Sequence, residues 1–439
     1  MIKTSNDKHV IVNKTNMKQA KQQAQNIAQD LLDFIEASPT PFHATQNLLD
    51  FFVKAGFEVL DEGLPWKITN NTAYVLTRND SSIIAFRTGD DLTQGINMLG
   101  AHTDSPCLRI KPNADINKHG YTQLGVEVYG GALLHPWFDR DLSIAGRVSG
   151  VNKDGSLFHE IIDFKKAIAT IPNLAIHLDR DANTNKSVNK QTDLPIILGH
   201  ELEGDFKSVL LQKCSDNAKS VLDYELSCYD TQAPGFVGLN DEFICSARLD
   251  NLLSTFIGAR ALLDTQGSKQ AALFISTDHE EVGSASACGA QGPFLKSVLE
   301  RLTTNANELT QVVSRSSMIS CDNAHGIHPN YADKHDQNHG PILNQGPVIK
   351  INNNQRYASN SISSAKFKHL CNEIGVPTQN FVVRSDMGCG STIGPITATE
   401  LGIETLDIGA PQWAMHSIRE TAGSADCDYL HRALCAFIS

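Results

Sequence analysis

Five stretches of the chain place aspartate, glutamate or histidine just behind a mostly apolar, strand-like run. They are Leu99-Gly-Ala-His102-Thr-Asp104, Ser246-Ala-Arg-Leu-Asp250-Asn251, Phe274-Ile-Ser-Thr-Asp278-His279-Glu280-Glu281, Ile319-Ser-Cys-Asp322 and Trp413-Ala-Met-His416. In open α/β sheets the carboxyl ends of the strands border one crevice, so sites far apart in sequence can meet there. Two histidines and three carboxylates can hold two divalent cations if one carboxylate bridges. Neutral imidazole and carboxylate suit zinc at about 2.0–2.2 Å, with positions left open for water. The Glu280-Glu281 pair suits a division of labour, one glutamate ligating and the other taking a proton from water. Neighbours on an extended segment point to opposite sides, so turning both inward needs a bend. Gly283, just after the pair, permits one. Each stretch alone has an ordinary explanation: a helix cap for Asp250, a satisfied imidazole for His102, a solvated pair for Glu280-Glu281. Their recurrence behind five strand-like runs in one chain is harder to dismiss.

The elements that must position these residues fall into three regions. Residues 17–37 are helical in composition and stop at Ser38-Pro39-Thr40-Pro41, and Phe42–Phe57 reads as a second amphipathic helix. Three β-type runs follow, Thr72–Leu76, Ile83–Arg87 and Ile96–Ala101, the last feeding into His102. Residues 106–240 are rich in short alternating segments such as Tyr121–Tyr129 and Leu142–Val151, and read as mostly β. Asp179–Asp193 is polar and reads as a surface loop. From Phe243 strands and helices alternate. The runs Phe243–Leu249, Ala271–Ser276, Met318–Ser320, Val348–Ile351, Phe381–Val383 and Thr405–Ile408 are the strands, with helical spacing after Leu252 and over 293–303, 306–314 and Ser361–Ile374. That alternation predicts an α/β sheet covered on both faces.

The chain has 439 residues, enough for two or three domains and a large core. Lys+Arg number 37 against 49 Asp+Glu, a net charge of −12, which argues against a nucleic-acid partner and weakly against anionic substrates. The ten cysteines form no C-x-x-C pair, so a thiolate zinc knuckle is disfavoured and a reducing compartment expected. The polar first residues carry no secretory h-region, and no window is apolar enough to span a membrane. The expected location is the cytoplasm. Gly388-Cys-Gly390-Ser-Thr-Ile-Gly394 has the wrong spacing for a dinucleotide loop and runs into Pro395. Neither G-x-x-x-x-G-K-[ST] nor G-x-S-x-G occurs.

The blocks HTDSP (102–106), RLDN (248–251), DHEEVGS (278–284), CDNAHGIHPNY (321–331), VIKINNNQRYAS (348–359), GCGSTIGP (388–395) and MHSIRE (415–420) stand here in the order of one family. From about residue 25 to the C-terminus the sequence resembles the M18 aspartyl aminopeptidases, which are di-metal enzymes. The resemblance implies that His102 and Asp322 hold one metal ion, Glu281 and His416 the other, and that Asp250 bridges them. It implies Glu280 as the general base and Asp104 as the partner that fixes the His102 tautomer. The Asp250–Asn251 peptide is expected to be cis. Zinc is the expected metal, with cobalt and manganese compatible with the same ligands.

The family removes N-terminal aspartate or glutamate, so a cation must meet a substrate carboxylate. Lys350 matches that position, although a lysine on an edge strand is otherwise unremarked. His177 resembles a histidine that enters a neighbouring subunit's active site, His335 resembles a site-lining residue, and Met387 and Gly388 are expected against the substrate backbone. The implied architecture is a discontinuous mixed-sheet α/β metallopeptidase domain, residues 1–105 and 241–439. A mostly β dimerisation domain, 106–240, is inserted in it, and dimers build a tetrahedral dodecamer. The implied partners are peptides with acidic N-termini and further copies of the chain, with no nucleic acid and no membrane. Two other readings stay open. One is a carboxypeptidase or deacylase of the same fold, with Arg384 on a C-terminal carboxylate; the other is a non-catalytic assembly protein that kept the shell.

Overall fold

The computed structural model describes residues 24–185, 187–200 and 204–439. The polar first residues and the first turns of the helix expected over 17–37 lie outside the described residues. The described part of that helix, 24–36, buries Ile27, Leu31, Leu32 and Ile35, the spacing of one helical face. Pro41 opens the next helix, Pro41–Lys54, at a position where a missing N–H breaks no helical bond.

A nine-stranded mixed sheet runs in the order Glu58–Val59, Ala73–Arg78, Ser82–Arg87, Ala272–Thr277, Asn97–His102, Ser317–Cys321, Glu404–Gly409, Val348–Lys350, Gln379–Phe381. Ala272–Thr277, Asn97–His102, Ser317–Cys321 and Glu404–Gly409 form its parallel centre. These runs are almost wholly buried because both faces are covered. Leu99, Phe274 and Ile319 pack beneath the N-terminal helices, Leu249–Asp264 and the last helix, Asp426–Ile438. Met98, Leu273, Ile275 and Met318 face the other way, against Phe294–Leu302 and Ala306–Arg315. The chain is therefore α/β, as expected. Two boundaries move. The run Phe243–Leu249 gives a strand only over Phe243–Ser246, because Leu249 already starts a helix. The strand expected at Phe381–Val383 lies at Gln379–Phe381, where polar Gln379 and Asn380 hide it from an apolar count.

Residues 107–230 supply a six-stranded antiparallel sheet, in the order Leu157–Asp163, Leu142–Asn152, Ala218–Asp230, Cys107–Lys118, Tyr121–Tyr129, Ile196–His200. It has its own core, including Leu108, Leu124, Trp137, Ile144 and Leu226, closed by Phe206 of the short helix Phe206–Leu211. The polar stretch 179–193 forms no helix or strand among its described residues. A third sheet joins Gly235–Val237, Phe243–Ser246, Glu420–Gly423, Pro411–Trp413 and Ala324–His325. No helix among the described residues is long and apolar enough to cross a membrane. All ten cysteines are free thiols.

Gly409 ends the strand Glu404–Gly409 beside Asp322, and a Cβ there would overlap the backbone carbonyl of Asp322. Backbone cannot step aside as a side chain can, so Gly409→Ala belongs at the top of the overpacking range, about 3 kcal/mol. Urea unfolding should show that loss as a lowered midpoint; an unchanged midpoint would refute the tight fit.

Candidate metal centre

Three parallel neighbours of the large sheet deliver the first residues. His102 ends Asn97–His102, Asp322 follows Ser317–Cys321, and Glu280 and Glu281 follow Ala272–Thr277. The pair sits in a 3₁₀ turn, Glu280–Val282, between His279 (φ 67°) and Gly283 (φ 97°), and this bend turns both carboxylates to one side. Asp250 and His416 arrive differently. Their strands, Phe243–Ser246 and Pro411–Trp413, belong to the five-stranded sheet, so two sheets and not one bring the five sites together. Nor is Asp250 a helix cap. Arg248 holds that place, and Asp250 and Asn251 depart from helical angles with a cis peptide between them.

The side chains ring two adjacent centres. Ligand atoms of His102, Asp250 and Asp322 lie within 4.8 Å of one another, as do those of Asp250, Glu281 and His416. His102 Nε2 is 3.4 Å from Asp250 Oδ1 and 3.6 Å from Asp322 Oδ1. His416 Nε2 is 3.5 Å from Asp250 Oδ2 and 3.4 Å from Glu281 Oε2. These separations are too long for good N–H···O hydrogen bonds. They match the edge of a tetrahedron around zinc, about 3.3 Å for ligands about 2.0–2.1 Å from the ion. Asp250 Oδ1 and Glu281 Oε1 are buried without a hydrogen-bond partner, which is costly unless a cation satisfies them. The donors present therefore fit two divalent ions with Asp250 between them.

The electrostatics agree. Burial opposes a charge on Asp250, yet His102 and His416 outweigh it and hold the carboxyl well below its usual range. Burial, then Asp250, pushes Glu281 far up. Glu280 is pushed up to about 7 by burial first, with Asp322, Asp104 and Asp250 adding and His102 opposing. Without cations the cluster retains protons; cations would replace them.

A supporting layer holds these groups. His102 Nδ1 lies 3.0 Å from the backbone oxygen of Asp104 and 3.3 Å from its Oδ1, so main chain and carboxylate share the contact assigned to the carboxylate alone. Glu420 was not foreseen: its buried carboxylate accepts the backbone N–H of both Asp250 (2.9 Å) and His416 (2.7 Å). Its place at the end of the block MHSIRE was the only sequence signal. Lys350 is buried and donates to Asp322 Oδ2 and Asn323 O, both at 3.1 Å, beside the Tyr357 ring. Tyr357 and His325 were also missed. His325 feels the charges of Lys350, Asp250 and Asp322 and sets its ring edge-on to Phe381.

The remaining candidates lie further out. His335 is half-buried near His328 and His325, with Nδ1 unpartnered, and is in neither ligand group. Met387 and Gly388 line a cavity of about 530 Å³ with Ile351, Arg356 and Val383. His177 is exposed and touches none of the ring; Leu174, Ile176 and Leu178 around it are exposed as well. Arg384 is occupied by Asp386 in a two-pronged pair at 2.9 and 2.6 Å, which weakens the carboxypeptidase reading.

The profile of the family described as aminopeptidase I zinc metalloprotease (M18) matches residues 34–438. A Pseudomonas syringae pv. syringae protein named probable M18 family aminopeptidase 2 is 58% identical over 416 residues, covering 93% of this chain and 96% of its own. In a cryo-EM structure of an Ape4 and Nbr1 complex, a chain 39% identical superposes with a TM-score of 0.92, covering 95% of this chain and 86% of that one. The S. cerevisiae mApe1 dodecamer gives 0.82 at 27% identity, covering 94% and 96%.

Glu280 (about 7), Glu281 and Glu420 (about 8, from burial and Asp250) all sit above the ordinary glutamate value of 4.5. Such groups favour the folded state while protonated, and that contribution fades as pH rises through 7 and 8. Metal-stripped protein should lose melting temperature between pH 5.5 and 8.5, and zinc should remove most of that slope. Equal slopes with and without zinc, by scanning fluorimetry, would refute a cation-balanced cluster.

Proposed function

Because the chain belongs to the M18 family of aminopeptidase I zinc metalloproteases and is a metal-dependent aminopeptidase, we propose that it removes acidic N-terminal residues, aspartate and glutamate, from peptides at a centre of two divalent cations. The observation that carries this is the Asp250 carboxylate, with Oδ1 turned to His102 and Oδ2 to His416. On this reading His102 and Asp322 hold one ion, Glu281 and His416 the other, and Asp250 both, with zinc first among the candidates. When bound, such ions polarise the scissile carbonyl, acidify water and accept the substrate's free α-amine. Glu280 takes the proton of the attacking water on its carboxylate and delivers it to the departing amine. Asp104 fixes the imidazole of His102 and, through the N–H groups of Glu280 and Glu281, the turn that carries the base.

Lys350 is the cation for the substrate's side-chain carboxylate. Two of its N–H groups hold Asp322 and the Asn323 carbonyl, which leaves a third to offer to a substrate. An uncharged side chain would leave a buried ammonium underused, which is a basis for selectivity. His325 and Tyr357 line the same side, and Met387 and Gly388 border the peptide. The sheet of 106–240, set between catalytic segments 1–105 and 241–439, mediates self-association. Its exposed turn with Leu174, Ile176 and Leu178 presents His177 to a second copy. The dodecamer named for S. cerevisiae mApe1 is the assembly expected here. Ten free thiols suit a cytoplasmic setting.

Hydrolysis of Asp-, Glu-, Ala- and Lys-terminal peptides, with zinc, cobalt or manganese added in turn, tests the proposal. Acidic peptides should be cleaved best and N-acetyl-Asp peptides not at all. Equal cleavage of the acetylated peptide would point to another hydrolase. Glu280→Ala should lower kcat by about 10²–10⁴-fold, and full activity in that variant would end the mechanism. Lys350→Met should shrink the Asp-over-Ala ratio in kcat/KM by tenfold or more; an unchanged ratio removes Lys350 as the selector.

A further inference from the structure

The inserted sheet reaches the metal centre through the segment Tyr129–Leu133. Tyr129 ends the strand Tyr121–Tyr129, and its hydroxyl donates to Asp104 Oδ2 at 2.7 Å. The ring is held by the guanidinium of Arg109, 3.6 Å from the ring centroid, on the neighbouring strand Cys107–Lys118. Asp104 is fully buried. Its Oδ1 accepts Glu280 N and its Oδ2 accepts Glu281 N, both at 3.1 Å, and Oδ1 stands 3.3 Å from His102 Nδ1. One carboxylate thus touches the imidazole of one centre and the backbone of the base. The segment then passes the other centre. Gly130 (φ 71°) lies against Glu281, where a Cβ would stand 3.1 Å from the Glu281 Cβ. Gly131 O lies 3.2 Å from His416 Nδ1, and Leu133 N donates to His416 O at 2.9 Å.

We propose that Tyr129 is a positioning residue for the reaction, fixing the Asp104 carboxylate and through it both the His102 ring and the Glu280–Glu281 turn. The strap Gly130–Leu133 does the same for His416. The inference rests on the di-metal reading above. The physical reason is directional. A carboxylate with only two backbone donors can rotate, whereas a phenol clamped under a guanidinium adds a donor from a fixed direction. Rotation of Asp104 would free the His102 ring and let the turn relax. Partners of metal ligands matter at this level, and losing one typically costs about 10–100-fold in metal affinity or activity. The inserted sheet is thereby a working part of the site within a single subunit, apart from any role in association.

The test is Tyr129→Phe, which keeps the ring beneath Arg109 and removes only the hydroxyl. On the full-length protein, kcat should fall about 10–100-fold with KM nearly unchanged. Zinc affinity of the metal-stripped protein, measured by competition with a chromophoric chelator, should fall about tenfold or more. Gly131→Ala, whose Cβ would stand 3.3 Å from His416 Nδ1, should weaken zinc binding independently of Asp104. Tyr121→Phe, at the exposed start of the same strand, should change nothing. Zinc affinity and kcat within twofold of wild type in Tyr129→Phe would overturn the proposal. If that variant fails to fold, Arg109→Gln, which unclamps the Tyr129 ring, decides: normal zinc binding and kcat there overturn the role of Tyr129 and weakened binding supports it, while Gly131→Ala decides for the strap. A wild-type protein that binds zinc but cleaves no peptide would defeat the functional reading, while zinc affinity would still report on Tyr129.

Discussion

The carboxylate of Asp250, buried with an imidazole at each oxygen, is the contact on which the rest of the site depends. A charge removed from water must be balanced locally, and here most neighbours that are not imidazoles are further carboxylates. The surroundings answer with backbone rather than with more charge. Glu420 takes the amides of Asp250 and His416, and Ser105 donates to the Asp250 carbonyl at 2.5 Å. Asn251 reaches the Cys321 carbonyl and Thr255 the His102 carbonyl, so the segments carrying the ring are tied to one another by main-chain contacts. Much of the position is fixed through backbone amides and carbonyls, which leaves the charge of the ring to be met by whatever enters it.

What could be read in advance follows from how locally each residue is determined. His102, Glu280, Glu281 and Asp322 each end or closely follow a buried parallel strand, and such strands advertise themselves as mostly apolar runs. Asp250 and His416 were legible by residue type and by their blocks, but not by route. Their short strands pair with segments far away in sequence, so nothing local reveals a second sheet. Tyr129 looks like any aromatic on a β-strand until its hydroxyl is seen to end on Asp104. Glu420 reads as a solvated glutamate. The resemblance points to His335 and not to His325, although His325 feels the charges of the ring; three histidines within eleven residues, His325, His328 and His335, offer no local basis for choosing. Lys350 was identified as a residue, while its grip on Asp322 needed coordinates.

That grip changes how selectivity and catalysis relate. Lys350 contacts a member of the ring, so under the proposed role any charge drawn toward a substrate carboxylate is charge loosened from Asp322. The overall −12 charge is a poor guide to such a place. The far field repels anions, whereas beside Asp322 a buried ammonium, and any cations held by the ring, set the local sign.

The order of the ring along the chain has a consequence for how the protein is made. His102 leaves the ribosome long before His416, and the helix Asp426–Ile438, which follows both, packs into the same core as Leu99. A growing polypeptide cannot close the ring until His416 has left the ribosome. A chain released before His416 lacks one imidazole of the ring and the strand pairing that seats Asp250.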